Sequence, residues 1–411
     1  MSPTPSSRKI TRHAIVLGFL NSVGPFAIDM YLPAFPAIAR DLRADPHAVQ
    51  LSLMAFFVAL GAGQLIAGPL SDMFGRLRPM FGGLLLFVAA SIGCAFASTI
   101  ETLIVFRFLQ GLGACASMVM PRAMLRDLYS GPDAARVMSI AMIVYSLSPI
   151  LAPLAGSFVA DAVGWRGIFA VLGGLALLGI ALTLAFLPET RPPALRMKSS
   201  LKTAMSGYRV LLADRRFLGI ALIASLTLSG FFIYAANSSF VMSSHFGVSP
   251  RMYSVLFALN AISLITVSQF NGWLARRFGL ERAVWLAIVG HVVTMTSLLV
   301  LTLAGVDRLD VMVVLLFIGY GLNGVIVPST FVLAMEGHAE LAGTASALIG
   351  TLNFVGGAVA VALVAPFANS TPLPMLAGIA ACSVVVFLLG LRWLHKRPAV
   401  AFRSVSDRPV P

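Results

Sequence analysis

The sequence predicts an all-α membrane protein, with twelve transmembrane helices arranged as two six-helix bundles. Three observations predict it. The 411 residues are 58% hydrophobic and only 11% charged, where soluble domains carry about 25% charge, and the mean hydropathy is +0.92. Apolar segments near the ~20 residues that a bilayer requires recur twelve times along the chain. A glycine-framed turn appears twice, 204 positions apart, after the second and the eighth of those segments.

In chain order the first six segments fall at about 12–36, 47–70, 79–98, 101–123, 134–160 and 166–187. The second six fall at about 217–244, 250–274, 282–304, 309–333, 339–366 and 372–394. Helices are expected because lipid offers no partner to open backbone groups. The first segment follows Arg8, Lys9 and Arg12, as a secretory leader would. It runs past leader length, contains Asp29 and lacks an A-x-A-like site, so it reads as a retained span. Between the sixth and seventh segments lies a polar stretch, 189–216, with seven Lys and Arg residues. It reads as a linker joining bundles 1–188 and 217–411, its cations suited to anionic lipid headgroups.

The repeat supports that division. Gly68-Pro69-Leu70-Ser71-Asp72-Met73-Phe74-Gly75-Arg76-Leu77-Arg78 is followed, 204 residues on, by Gly272-Trp273-Leu274-Ala275-Arg276-Arg277-Phe278-Gly279-Leu280-Glu281-Arg282. The glycines, a leucine and a phenylalanine keep register at equivalent places, as duplicated halves would.

Charge sets the expected orientation. Of the 29 Lys and Arg, five (Arg40, Arg43, Arg166, Arg251 and Arg308) fall in one set of loops and Arg107 falls inside a span. The other 23 lie in the opposite set or at the termini, which puts both termini in the cytoplasm. The net charge of +13 is thereby accounted for by topology, and nucleic acid is not an expected partner. Cys94, Cys115 and Cys382 occupy separate apolar segments and read as small buried hydrophobes. The six histidines are dispersed, with no H-E-x-x-H spacing. No G-x-x-x-x-G-K-[ST] loop is present, so neither an enzyme nor an ATP-driven pump is indicated, and no cofactor or metal is expected.

Asp29 is the residue that suggests a mechanism. It interrupts an otherwise uncharged run from Ala14 to Ile38, where a charge costs roughly 2.5–3.5 kcal/mol on insertion scales. The helix-breaking Pro33 and Pro36 stand just beyond it. Counting residues from the span ends, Arg107 of span four should sit at a similar depth. A cation within ~4–6 Å would hold the carboxyl ionised and burial would oppose this, a balance suited to taking up and releasing a proton.

These features together resemble the major facilitator superfamily. The loop from Gly68 to Arg78 matches its G-x-L-a-D-r-x-G-r-r signature. Arg107-Phe108-Leu109-Gln110-Gly111-Leu112-Gly113 matches the span-four pattern of drug:proton antiporters. Pro149 to Gly156 resembles a degraded antiporter motif in span five, kinked at Pro153, with Ala152 and Ala155 where glycines are usual. Asp29-Met30-Tyr31-Leu32-Pro33-Ala34, Gly164-Trp165-Arg166-Gly167-Ile168-Phe169, Phe257-Ala258-Leu259-Asn260-Ala261 and Ala342-Gly343-Thr344-Ala345-Ser346-Ala347-Leu348 resemble the bicyclomycin/chloramphenicol-resistance (Bcr/CflA) branch.

The resemblance implies a monomeric bacterial inner-membrane exporter that exchanges protons for small lipophilic drugs, with lipid as its surroundings. It implies that Asp29 and Arg107 couple the proton. It also implies that Gly68, Asp72, Gly75, Arg76 and Asp127 form a gate. In that gate Asp72 faces the N-terminus of span eleven, and Arg76 joins Asp72 to Asp127, locking the outward-open state. Arg276 replaces the acid in the second copy of the loop, so that side should be less symmetric. Tyr31, Gln110, Tyr145, Tyr234 and Asn237 are candidates to line the cargo cavity, with Phe57, Phe231, Asn260 and Asn353 beside them. A single intramembrane carboxyl suits one proton and a neutral or singly charged cargo. Export of a specific metabolite or sugar-like solute by the same cycle remains the alternative.

Overall fold

The computed structural model describes residues 7–196, 201–368 and 371–394, so both expected bundles and the linker extend beyond the described residues. Those described are almost wholly helical, without a strand among them, and twelve helical segments are long and apolar enough to cross a membrane. Spans one to six run Arg8–Asp41, Pro46–Phe74, Leu77–Ala95, Ile100–Leu128, Gly131–Val163 and Trp165–Phe186. Spans seven to twelve run Arg215–His245, Pro250–Ser268, Leu280–Leu303, Leu309–Met335, Ala342–Phe367 and Leu373–Trp393. Phe158, Leu184 and Leu363 are 68–70% exposed, as lipid-facing side chains must be.

Prolines decide where spans break. Pro33 has no N–H to return to the Asp29 carbonyl. The first helix accordingly stops at Asp29, and the chain passes through a 3-10 turn, Leu32–Ala34, into a second helix, Phe35–Asp41. Span five breaks at Leu147, ahead of Pro149 and not at the expected Pro153. Pro149 leaves the Tyr145 carbonyl without its helical donor, and the Ser148 hydroxyl supplies one at 2.6 Å. Span eight is shorter than expected. It ends at Ser268, and a separate helix, Asn271–Phe278, carries the second copy of the turn. Both turn glycines cap helices in the left-handed region, Gly75 at φ 90° and Gly279 at φ 80°, where a side chain would be strained.

The packing repeats with the sequence. Spans one and five, two and four, three and four, and three and six pack in the first half. Seven and eleven, eight and ten, nine and ten, and nine and twelve pack in the second. Across the halves, span two packs on span eleven and span five on span eight. The linker holds a helix, Leu201–Ala213, that the charge count alone does not suggest. Its Tyr208 and Leu211 are buried, and the Tyr208 hydroxyl donates to the Leu65 carbonyl of span two at 3.0 Å.

Candidate functional site

Asp29 is the last residue of the first helix and is 6% exposed. Its carboxyl has no hydrogen-bond or ion-pair partner among the described residues, and it lies within electrostatic reach of the Tyr145 hydroxyl on span five and the Tyr253 hydroxyl on span eight. The break in span one that follows Asp29 packs on span five of its own half and on span eight of the other. Gly156 explains how the broken chain fits there. A Cβ at that position would fall on the Met30 carbonyl oxygen, so only glycine lets span five lie directly against the break.

Arg107 is fully buried in a cage of rings. Its guanidinium carbon stands 4.5 Å from the Tyr31 ring and 4.3 Å from the Phe56 ring. Nη1 donates to Gln110 Oε1 at 2.5 Å, and Gln110 Nε2 donates to Ser91 Oγ at 2.8 Å. Nε and Nη2 are buried without a partner. The expected juxtaposition of Asp29 with Arg107 is corrected here, since no ion pair joins them among the described residues. The first helix ends at Asp29 and Tyr31 lies beyond the break, so helical spacing does not carry the carboxyl to the guanidinium on which Tyr31 stacks. A shared depth says nothing about a shared face.

The five cargo candidates divide among four places. Tyr31 and Gln110 belong to the Arg107 cage. Tyr145 belongs to the surroundings of Asp29. Asn237 joins the two halves, its Oδ1 accepting from Gln50 Nε2 at 3.0 Å. Tyr234 sits within the second half, its hydroxyl accepting from Asn260 Nδ2 at 3.0 Å. The midline between the halves is filled by rings, with Phe57 and Phe232 centroids 4.4 Å apart and Phe232 stacked on Phe354 at 5.6 Å.

The contacts between the halves close both ends. On the face that bears Arg76, Thr351 Oγ1 donates to the Gly61 carbonyl at 2.7 Å, beside the Tyr208–Leu65 bond. On the opposite face, Ser254 Oγ donates to the Pro153 carbonyl at 2.8 Å, Arg251 Nε pairs with Asp161 Oδ2 at 2.7 Å, and Gln50 meets Asn237.

Arg76 organises the basic face. It is 5% exposed, and Nη1 reaches Asp72 Oδ1 at 2.8 Å and Ser71 Oγ at 2.6 Å while Nε reaches Asp127 Oδ2 at 2.8 Å. Arg76 thus ties the end of span two to the end of span four. Burial opposes its charge, but the hydrogen bond and field of Asp127, then those of Asp72, raise its pKa on balance. Gly75 is required both by its φ and because a Cβ there would meet Arg196 Nη2 and Glu189 Oε2, each at 2.5 Å. Gly68 faces open space and contributes its carbonyl to the Ser71 hydroxyl at 2.7 Å. Asp72 differs from the expectation: its Oδ1 is held by Arg76 and, at 3.4 Å, by Arg191 Nη1, and no backbone N–H of span eleven donates to it among the described residues.

Sequence reasoning missed the segment that completes this cluster. Glu189 accepts from the backbone N–H groups of Arg76 at 2.9 Å and Leu77 at 3.2 Å. Thr190 Oγ1 donates to Asp127 Oδ2 at 2.9 Å, and Arg191 Nε to the Asp72 carbonyl at 3.0 Å. Burial pushes the Glu189 pKa up, but the N–H groups of Arg191, Arg76 and Leu77, with Arg196 nearby, bring it below the ordinary glutamate value. The available signal was the acid–hydroxyl–cation run directly after Pro188. Among the described residues the second copy of the turn has no equivalent of the Arg76 bridge. Arg276 makes no ion pair among the described residues, while Arg216 pairs with Glu281 at 3.0 Å and Glu336 at 3.9 Å.

Comparison with known proteins places this geometry. Residues 17–361 match the profile described as Major Facilitator Superfamily. An uncharacterized MFS-type transporter of Bacillus subtilis (strain 168) is 36% identical over 381 residues, covering 91% of this chain and 93% of its own. A bicyclomycin resistance protein homolog of Haemophilus influenzae is 30% identical over 383 residues, covering 93% and 96%. Among solved structures, a partially occluded inward-open conformation of the xylose transporter of E. coli superposes with a TM-score of 0.73 at 13% identity, covering 94% and 98%. That last likeness speaks to the fold alone.

Proposed function

Because the chain belongs to the Major Facilitator Superfamily and to its bicyclomycin/chloramphenicol-resistance branch, it is a multi-pass membrane transporter and not an enzyme, and we propose that it exports small lipophilic drugs in exchange for protons. The observation that carries this reading is Asp29, a carboxyl buried without a counter-ion among the described residues, beside the break in span one that packs on both span five and span eight. An unpaired charge there is expensive, and a proton removes the expense. A proton gained from one side and lost to the other, as each face opens in turn, is the coupling.

In this reading residues 1–188 and 217–411 rock against each other, joined by 189–216. The face rich in Lys and Arg is the cytoplasmic one, both termini lie there, and the membrane is the bacterial inner membrane. Arg76, Asp72, Asp127, Gly75 and the Gly68 turn hold that face closed. Arg107 shapes the wall on which the break in span one rests. With a single carboxyl available, neutral and singly charged drugs are favoured and dications are poor cargo.

The test is proton release from purified protein on drug addition, with and without Asp29. Wild type should release protons on binding chloramphenicol or tetraphenylphosphonium. Asp29→Asn, folded and still binding drug, should release none. Proton release unchanged in Asp29→Asn removes the exchange scheme.

A further inference from the structure

The outer seam between spans one and six holds a groove that the proton step does not use. Its wider part, about 520 Å³, is lined by Arg8, Arg12 and Ile15 of span one and by Leu182 and Phe186 of span six. A second cavity, about 180 Å³, lies between Phe19, Val23 and Phe26 of span one and Leu175 of span six, where span five breaks at Leu147. Positions 8, 12, 15, 19, 23 and 26 recur every three or four residues of one helix, Ser7–Asp29, so they form a single stripe. Leu182 and Leu175 stand two turns apart on the facing helix. The two cavities therefore follow one seam. From Ile15 to Phe26 the stripe runs about 16 Å at 1.5 Å per residue, close to half of the ~30 Å hydrocarbon core of a bilayer.

Charge is confined to one end of that seam. Arg8 and Arg12 are exposed, and neither pairs with an acid among the described residues. No acidic side chain lines either cavity, and the first acid in the chain is Asp29. The Arg12 guanidinium carbon lies 4.7 Å from the centre of the Phe186 ring, which holds it across the mouth of the groove. The other side of the helix is fixed inward: His13 is 2% exposed, and its Nδ1 meets the Tyr129 hydroxyl of span four's end at 2.7 Å. The arginine stripe is thereby kept facing the lipid.

We propose that this groove seats one anionic phospholipid from the leaflet on the basic face. The phosphate lies between Arg8 and Arg12, whose planar guanidinium groups suit its oxygens, and an acyl chain follows the stripe from Ile15 towards Phe26. Apolar side chains facing lipid are expected all round such a protein. A cavity of leaflet depth with two unpaired arginines at its headgroup end is not. The inference uses only the membrane setting and the fold, and stands apart from the export reading.

Native mass spectrometry of the detergent-purified full chain, titrated with phosphatidylglycerol or with phosphatidylcholine of the same acyl chains, tests it. Wild type should bind one phosphatidylglycerol at least tenfold more tightly than phosphatidylcholine. Arg8→Gln combined with Arg12→Gln should weaken the first phosphatidylglycerol about ten- to thirtyfold and leave phosphatidylcholine unchanged. It should also remove the rise in melting temperature that phosphatidylglycerol gives wild type. Arg276→Gln combined with Arg277→Gln takes the same charge from elsewhere on the basic face and should alter neither result. Equal losses in the two double variants mark general surface attraction and overturn the site. So does equal wild-type affinity for the two lipids, or an unchanged affinity without Arg8 and Arg12. Displacement of phosphatidylglycerol by inorganic phosphate also overturns it, because the groove would then hold an anion with no seat for the chain.

Discussion

Replacing Arg76 by alanine should open the basic face. The guanidinium is 5% exposed and holds three partners, Asp127 at 2.8 Å, Asp72 at 2.8 Å and Ser71 at 2.6 Å. Removing one member of a buried ion pair costs about 3–5 kcal/mol. Here the carboxylates are 21% and 38% exposed, and Thr190 and Arg191 stay behind as partners. Both facts lower the cost, to about 2–3 kcal/mol by that principle. If the whole of it is felt in the closed state, the closed-to-open ratio falls roughly 30- to 150-fold. Spin labels at positions 74 and 278, exposed and equivalent in the two copies of the turn, report this as a distance distribution in lipid nanodiscs. Wild type should show one short distance and Arg76→Ala a dominant longer one. A folded Arg76→Ala protein with the wild-type distribution would show that the cluster positions the loop without gating it.

Four further outcomes follow from the geometry. Gly156→Val should displace Met30, with a loss of about 1–3 kcal/mol typical of overpacking, read as a lower melting temperature and slower drug transport. Asn237→Leu should leave Gln50 buried without its partner, at a cost of about 1–3 kcal/mol, and shift a label pair on the face opposite Arg76 towards separation. Glu189 has a folded pKa below its unfolded one, so its stabilisation is complete above about pH 4.3 and is lost as pH falls through the lower folded value. The melting-temperature gap between wild type and Glu189→Gln should thus be flat from pH 5 to 8 and close only in stronger acid. Arg107→Lys keeps the charge but loses the flat surface that stacks on Tyr31 and Phe56. Transport should fall at least tenfold if Arg107 shapes the wall, and near-normal transport would overturn that role.

Twelve spans and the repeated turn were legible because lipid demands long apolar runs and the two turns keep register. The Arg76 bridge came with the family resemblance and not from spacing, because the left-handed Gly75 separates Arg76 from the helix that carries Asp72. The partners of Asp29 were not legible. Depth along a span follows from counting residues, but azimuth depends on the break that Pro33 imposes, and a break resets which face each residue presents. The cargo candidates failed to assemble for a related reason: polar and aromatic residues on spans one, five and seven satisfy equally well a wall, a seam and an interior. Helical spacing does not distinguish these. The linker contacts of Glu189 and Thr190 had a local sequence signal, but only the fold brings that run back over the turn at Gly75.

The arrangement around span five indicates how the proposed exchange couples to movement. Within one turn of that helix, the Pro153 carbonyl binds Ser254 of span eight and Gly156 seats the carbonyl of Met30, next to Asp29. Tyr253, the neighbour of Ser254, is the residue of the second half whose hydroxyl feels the Asp29 carboxyl. Separating span eight from span five therefore breaks the Ser254 bond, withdraws Tyr253 from the carboxyl and admits water to it in a single motion. Met30 rests on Gly156 with no side chain between them, which favours span one staying with span five. Asp29 thus stays with the first half while its surroundings change from protein to water. That change is the difference in environment that a proton carrier needs in order to release on one side what it takes up on the other.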